Sequence, residues 1–345
     1  MKIFRYLLLL FIAVFCRAAY AQTGTDLDTL VKQAVRLNNA GKYAEAADKY
    51  TQALKLEPDN VYANSGIAFS LLNSGKGDEG IPYLQKVISS NTSVTSMAYD
   101  LLGSIYDQDH NSAKAIDAFN QGIKIDPKNQ ELYYNLGLVY FRDKNYAEAE
   151  KCAVQSIKLD PKHANSQRIY ALVCFHQNKR ANALLGLCSF ILLQPQSGRS
   201  TEAFGNIQHI IQGGVLKADP GVAPPAPDAN TIALNLAITK AVAQAGQRKY
   251  SNAADLLTAQ LTAIFSAIGP IADSQTGDDF FKSFYVDYFF KLAQSPNMPA
   301  FARLISPAVP ETDEWKKNNA QAMSALDEWL KGTERSFCIS KTYVY

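Results

Sequence analysis

The side chains able to do chemistry are few and scattered. The histidines are His110, His163, His176 and His209. Neither His110 nor His163 has a carboxylate or a cysteine at metal-ligand spacing, and His176 reads as a partner contact rather than a catalytic group. His110 falls in an expected inter-helix turn and His163 at a junction between helices, where a solvated ring is the simplest reading. Beyond Cys16 the cysteines are Cys152, Cys174, Cys188 and Cys338, spaced neither as C-x-x-C nor as a zinc pattern. They read as buried thiols, with a bridge left open in an oxidising compartment. Asp278-Asp279 is an adjacent carboxylate pair, but acids belong in the first turn of a helix for dipole reasons. Asn91-Thr92-Ser93 matches a glycosylation acceptor and carries no further inference. There is no phosphate loop, dinucleotide fingerprint, H-E-x-x-H or G-x-S-x-G. The sequence therefore predicts no catalytic residue, no metal, no cofactor and no enzyme, and whatever the chain does must be done by its surfaces.

The elements that build those surfaces begin with an address. Lys2 and Arg5 precede an apolar run from Leu7 to Phe15, and Ala19-Tyr20-Ala21 is a small-x-small cleavage site before Gln22. Residues 1–21 are expected to be a signal peptide of bacterial type, cleaved after Ala21, leaving the chain periplasmic or extracellular. Lipidation at Cys16 is the alternative. The whole chain has 34 Lys+Arg against 32 Asp+Glu. The leader holds Lys2, Arg5 and Arg17, so the mature chain has 31 against 32. Near-neutrality argues against a general polyanion binder, and no nucleic-acid partner is expected. No later stretch reads as a membrane span, which takes about 20 apolar residues.

A repeat organises the chain from residue 27 to residue 197. Tyr43-Ala44-Glu45-Ala46-Ala47, Ser112-Ala113-Lys114-Ala115-Ile116 and Tyr146-Ala147-Glu148-Ala149-Glu150 are versions of one segment. Pro127, Pro161 and Pro195 close segments 34 residues apart, and Pro58 lies two periods plus one residue before Pro127. Five units fit, at 27–60, 61–94, 96–129, 130–163 and 164–197. This pattern resembles the tetratricopeptide repeat family. Tyr133, Leu136, Gly137, Tyr140, Tyr146, Ala149 and Pro161 match its markers in the fourth unit, as do Tyr99, Leu102, Gly103, Tyr106, Ala115, Phe119 and Pro127 in the third. The second departs, with Gly80 for the usual alanine and Pro82 after it, near the start of a helix capped by Asp78. The resemblance implies an all-α superhelical solenoid of helix hairpins, with the first helix of each repeat lining a concave face.

The family's groove positions fall here on Val31, Val35, Asn38 and Asn39 in the first repeat and on Tyr62, Phe69 and Leu72 in the second. The third supplies Met97, Asp100, Ser104 and Asp107. Tyr134, Leu138, Phe141 and Arg142 follow in the fourth, and Arg168, Leu172, Phe175 and His176 in the fifth. The chaperone-binding members of the family clamp a terminal carboxylate with Lys and Asn; those positions hold Val31, Val35 and Gly66, so that clamp is missing. An apolar, aromatic groove with Arg at one end is the kind of surface that binds protein. Whether it is free or covered by the chain's own C-terminal part stays open.

The rest is helical without clear repetition. A capping helix is expected over 198–213, starting at Ser200, then a linker over 214–229 rich in proline, which cannot enter a helix. A separate helical domain over 230–331 comes next. Within it a hairpin (230–246, then Ser251 to 267) ends at Gly269-Pro270, and Tyr250 and Ala253 echo the repeat. Asp278 to Ala293 reads as a helix with polar residues every four (Asp279, Ser283, Asp287, Lys291) and a wide aromatic face that must be mostly buried. A short helix at 300–305 and one from Glu311 to Lys331 complete it. Residues 332–345 alternate as an extended tail, expected to dock on the same chain. The combination predicts a non-enzymatic scaffold of the cell envelope that binds a peptide or helix of another exported protein. The competing reading is a ligand- or glycan-binding protein, or an enzyme, with a site between the repeats and the C-terminal helices.

Overall fold

The computed structural model describes residues 27–214, 226–274, 280–306, 312–333 and 335. The expected leader, most of the proline-rich linker, Asp278-Asp279, Cys338 and nearly all of the expected tail therefore lie outside the described residues. Among those described there is no strand. The repeat helices are α1 (27–39), α2 (Tyr43–Leu56), α3 (Val61–Asn73), α4 (Gly77–Ser90), α5 (Thr95–Gln108), α6 (Ser112–Ile125), α7 (Gln130–Arg142), α8 (Tyr146–Leu159), α9 (Ala164–His176) and α10 (Arg180–Leu193). They are followed by α11 (Gly198–Ile211), α12 (Ala229–Ala245), α13 (Ala253–Asp273), a π-helical turn (Phe281–Val286) running into α14 (Asp287–Ala293), α15 (Met298–Leu304), α16 (Thr312–Asn318) and α17 (Ala320–Gly332). The chain divides into two compact units, Met1–Val139 and Tyr140–Tyr345. The helices expected as a separate domain over 230–331 thus share a unit with α8–α11.

The backbone states the period most plainly. Gly41, Gly75, His110, Lys144, Asn178 and Gly213 all have left-handed φ, between 56° and 82°, at steps of 34 or 35 residues. In each case the next residue's N–H bonds to the carbonyl five residues back, as Lys42 to Leu37, Asn111 to Tyr106, Lys179 to Cys174 and Gly214 to His209, at 2.8–2.9 Å. This is the helix-ending motif that closes one helix and aims the next. His110 therefore has a backbone role in a turn. The sixth turn, at Gly213, gives α11 the same ending as the first helices of the five repeats. Two of the second helices, α6 and α8, start on an asparagine: Asn111 Oδ1 accepts from Lys114 N at 3.3 Å, and Asn145 Oδ1 from Glu148 N at 3.5 Å.

Close packing explains the small residues in the first unit. A Cβ on Gly103 would stand 2.6 Å from the Phe119 ring, and one on Gly80 would stand 3.2 Å from Ala68 Cα. Gly80 thus replaces alanine because α3 and α4 cross there. Tyr50, Ala53, Ile67, Leu84, Val87, Ile105 and Phe119 are buried around these crossings.

In the second unit α9 and α10 are buried on nearly every side, α10 as a helix apolar nearly all round should be, and α9 with Ser166 and Gln167 enclosed as well. The aromatic segment after residue 280 covers them. Tyr285 stacks on Tyr170 at 5.2 Å between centroids, its hydroxyl donates to Gln167 Oε1 at 2.5 Å, and Phe280 meets Tyr170 edge-on. Phe281, Phe284, Tyr288 and Phe289 are buried as expected. The π turn explains the four-residue polar spacing: a wider helical turn keeps residues four and five apart on one face.

Several local expectations are corrected. Ser197, three residues before Ser200, caps α11, accepting from Ser200 N at 3.1 Å. Lys76 precedes α4, so Asp78 lies in its first turn and Pro82 inside the helix. Pro270 does not end α13, which continues to Asp273; Gly269 is held bare beneath the Phe290 ring. The helix expected from Glu311 to Lys331 breaks at Asn319 into α16 and α17. By length and composition α13 is also apolar enough to cross a membrane, with a mean hydropathy of 1.3 over 18 residues. Here its Leu257, Leu261, Ile264, Phe265 and Ile268 are buried, with Phe265 packed on Phe289 and Phe301.

Candidate functional site

In the first unit the first helices are tied to one another by polar pairs about one period apart. Ser70 Oγ of α3 donates to Asn38 Oδ1 of α1 at 2.9 Å, and Asn135 Nδ2 of α7 donates to Asp100 Oδ1 of α5 at 2.9 Å. These pairs fix which face each helix presents. On that face Tyr62 is 63% exposed, Met97 50%, Val35 44% and Phe69 39%. Tyr62 and Phe69 are two helical turns apart on α3, so they project together. The Tyr43 ring meets Phe69 edge-on at 6.3 Å. Val31, Leu72, Tyr134 and Leu138 are half-buried along the same helices. The result is an apolar surface on which no described residue has closed.

One carboxylate stands in it. Asp100 is three residues beyond Met97, on the same side of α5. Burial raises its pKa from the ordinary 3.8 to about 6; the Asn135 hydrogen bond works against this and the negative Glu131 adds to it. Sequence reasoning placed Asp100 in the groove but missed its tie to Asn135. Recurrence of polar residues one period apart was the signal that could have found it.

The second unit treats its groove positions differently. Phe141 and His176 are half-buried and Tyr146 is buried; the Tyr146 and His176 rings stack at 4.6 Å, and Phe141 meets His176 edge-on at 5.4 Å. Arg142 is exposed and Leu172 half-buried. Phe175, expected to line the groove, is only 2% exposed, with the His209 ring of α11 against it at 5.9 Å. Arg168, expected as a basic end of the groove, is forked onto Glu202 of α11 at 3.2 and 3.0 Å. The physical reason is the same for both: α11 repeats the first-helix geometry and lies on α9 where a groove wall was expected.

The remaining candidates resolve as structure. His163 precedes α9, and its Nδ1 is 2.6 Å from Ser166 Oγ, which is 2.6 Å from the buried Ser156 Oγ. It is thus engaged at a helix start rather than free in a turn. Cys152, Cys174 and Cys188 are free and buried, and burial raises all three thiols, Cys152 to about 12. Neutral buried thiols are poor nucleophiles and ligands. Glu150, unremarked in the sequence, takes Lys179 Nζ at 2.5 Å and Gln177 Nε2 at 2.8 Å, joining α8 to the α9–α10 turn. Among the described residues no group of His, Cys, Asp and Glu could hold a metal ion.

Residues 35–181 match the family model described as Psidin, N-terminal TPR repeats region. The chain is 36% identical over 90 residues to Hsp70-Hsp90 organizing protein 3 of Arabidopsis thaliana, a match covering 26% of this chain and 16% of that one. It is 29% identical over 94 residues to human protein O-mannosyl-transferase TMTC1, covering 27% of this chain and 10% of that one. The chain thus spans only a small part of the length of these relatives. Among solved structures, Pseudomonas aeruginosa pilF is similar with a TM-score of 0.50 at 16% identity, over 55% of this chain and 86% of that one; the likeness is one of fold. With the matched region, the six equivalent turns and the small-residue crossings in agreement, the chain has an all-α fold in which residues 35–181 are similar to tetratricopeptide repeats and are followed by further helices.

Proposed function

We propose that the chain is a non-enzymatic scaffold whose first unit binds a peptide or helix of another protein on the face formed by α1, α3 and α5. The observation that carries this reading is the set of exposed apolar side chains Val35, Tyr62, Phe69 and Met97 on successive first helices. Contiguous apolar surface on a folded protein is characteristic of an interface, and aromatic residues supply most of the affinity in such places. Val31, Val35 and Gly66 stand where chaperone-binding repeats carry their carboxylate clamp, so the ligand is read through apolar anchors rather than a chain end. The partner belongs to the cell envelope or is itself exported, in keeping with the leader at 1–21; the intact mass of exported protein, beginning at Gln22, tests that part.

The binding test is selection from a random peptide library by the purified chain, followed by affinity measurement. Tyr62→Ser with Phe69→Ser should lower the affinity of selected peptides at least about tenfold, since each ring is a candidate anchor. Helical circular dichroism should be retained, because both rings are exposed. Equal affinity in the variant, or selection of peptides without apolar residues, would refute the assignment.

A further inference from the structure

The last described side chain lies where a surface terminus would not put it. α17 ends at Gly332, and Arg335 follows three residues on. Its guanidinium carbon is 4.0 Å from the centroid of the Tyr288 ring, 5.2 Å from that of Phe289 and 5.3 Å from that of Phe284. Nη1 donates to Ser189 Oγ of α10 at 2.7 Å. Ser189 is itself buried and tied to the Leu185 carbonyl at 2.8 Å. Trp329 packs on Tyr288 with 5.1 Å between centroids. Among the described residues no carboxylate pairs with Arg335, although burial acts against its charge.

A half-buried guanidinium with no counter-ion among the described residues draws on another source of negative potential. Ring faces provide it, and a planar cation can lie against several rings while its N–H groups reach an acceptor at the edge. An ammonium cannot do both, being compact and more strongly hydrated. The π turn sets the box, because it brings Phe284, Tyr288 and Phe289 to one side of a single helical segment. All of this is built by α10 and by residues 280–293, and the arginine alone arrives from beyond the last helix.

We propose that Phe284, Tyr288, Phe289 and Ser189 form a guanidinium-binding site, filled here by the chain's own Arg335, that takes a free guanidinium cation when that side chain is removed. The site is independent of the groove on the first unit.

The test is chemical rescue in the full-length chain. Arg335→Ala empties the box, and methylguanidinium is added at millimolar concentration, with methylammonium as the matched control cation. Thermal midpoint and tryptophan fluorescence are followed, the latter because Trp329 lies against Tyr288. Methylguanidinium should raise the midpoint of Arg335→Ala saturably, by roughly 2–4 °C at several times the half-saturating concentration. It should leave the wild type unchanged, and methylammonium should do neither. The double variant Arg335→Ala, Tyr288→Leu should lose the rescue. If Arg335→Ala does not fold by itself, its refolding yield with and without methylguanidinium becomes the readout. The proposal is overturned if the two cations act alike, if wild type and Arg335→Ala respond alike, or if the rescue survives Tyr288→Leu.

Discussion

Replacing Asp100 by asparagine should stabilise the first unit at neutral pH. The side chain is largely buried between α5 and α7, and its carboxylate has one hydrogen-bond donor, Asn135 Nδ2, at 2.9 Å. Burial raises the folded-state pKa from 3.8 to about 6. A raised acid pKa means that the folded chain holds its proton more tightly than the unfolded chain does. Stability is therefore full below about 3.8 and falls as the pH rises from there to about 6. Above that window the charge costs about 3 kcal/mol at most, at 1.36 kcal/mol per pH unit. Asparagine keeps the shape and presents a carbonyl oxygen to the same Asn135 amide, without the charge. Asp100→Asn should thus match the wild type near pH 4 and exceed it at pH 7 by up to about 3 kcal/mol. Urea unfolding at a series of pH values, with the transition of the first unit resolved, measures this directly. A variant that is less stable at pH 7, or a difference that does not change between pH 4 and pH 7, would refute the argument.

Two further substitutions test the packing. Gly103→Ala drives a methyl to 2.6 Å from the Phe119 ring and should destabilise the first unit by about 1–3 kcal/mol, read as a lower urea midpoint with unchanged slope. Phe175→Ala removes a ring packed beneath His209 and should cost about 3–5 kcal/mol with no effect on peptide affinity; weakened binding in a chain of unchanged stability would return Phe175 to the groove.

The repeat was legible because its chemistry is short-range. Gly103 must be bare beneath Phe119, and Ala115 and Ala149 are fully buried where helices cross. Such demands leave a residue type at a fixed spacing, which a single sequence displays; the left-handed turns do so less, since Gly41, Gly75 and Gly213 share the role with His110, Lys144 and Asn178. The aromatic helix was legible for a related reason: Phe280, Phe281, Phe284, Tyr285, Tyr288 and Phe289 leave too little polar face for water. Its π turn was visible only as a four-residue polar spacing, which an α-helical reading absorbs without protest. The burial of Phe175 had no local sign. A first-helix position predicts the face a side chain is on, while what lies over that face is decided by α11, folded from residues beyond the fifth unit. Ser197 and Ser200 could each have capped α11, and only the structure separates them. Arg335 carried no signal at all, since one arginine in a tail looks like any other.

The helices of the two units differ in what their apolar positions serve. α10 carries apolar side chains on nearly every side and α9 is buried along most of its length, with α11 on one side and the segment after residue 280 on another. α3 and α5 bury Ala63, Ile67, Ala68, Ala98, Leu102 and Ile105 yet leave Tyr62, Phe69 and Met97 exposed. Stability alone would favour covering those three side chains, since burying a large apolar side chain is worth about 1.5–3 kcal/mol. The same helices also retain Asp100 at a pH where its charge is unfavourable. A face that forgoes stabilisation in both ways is what the binding proposed for α1, α3 and α5 requires.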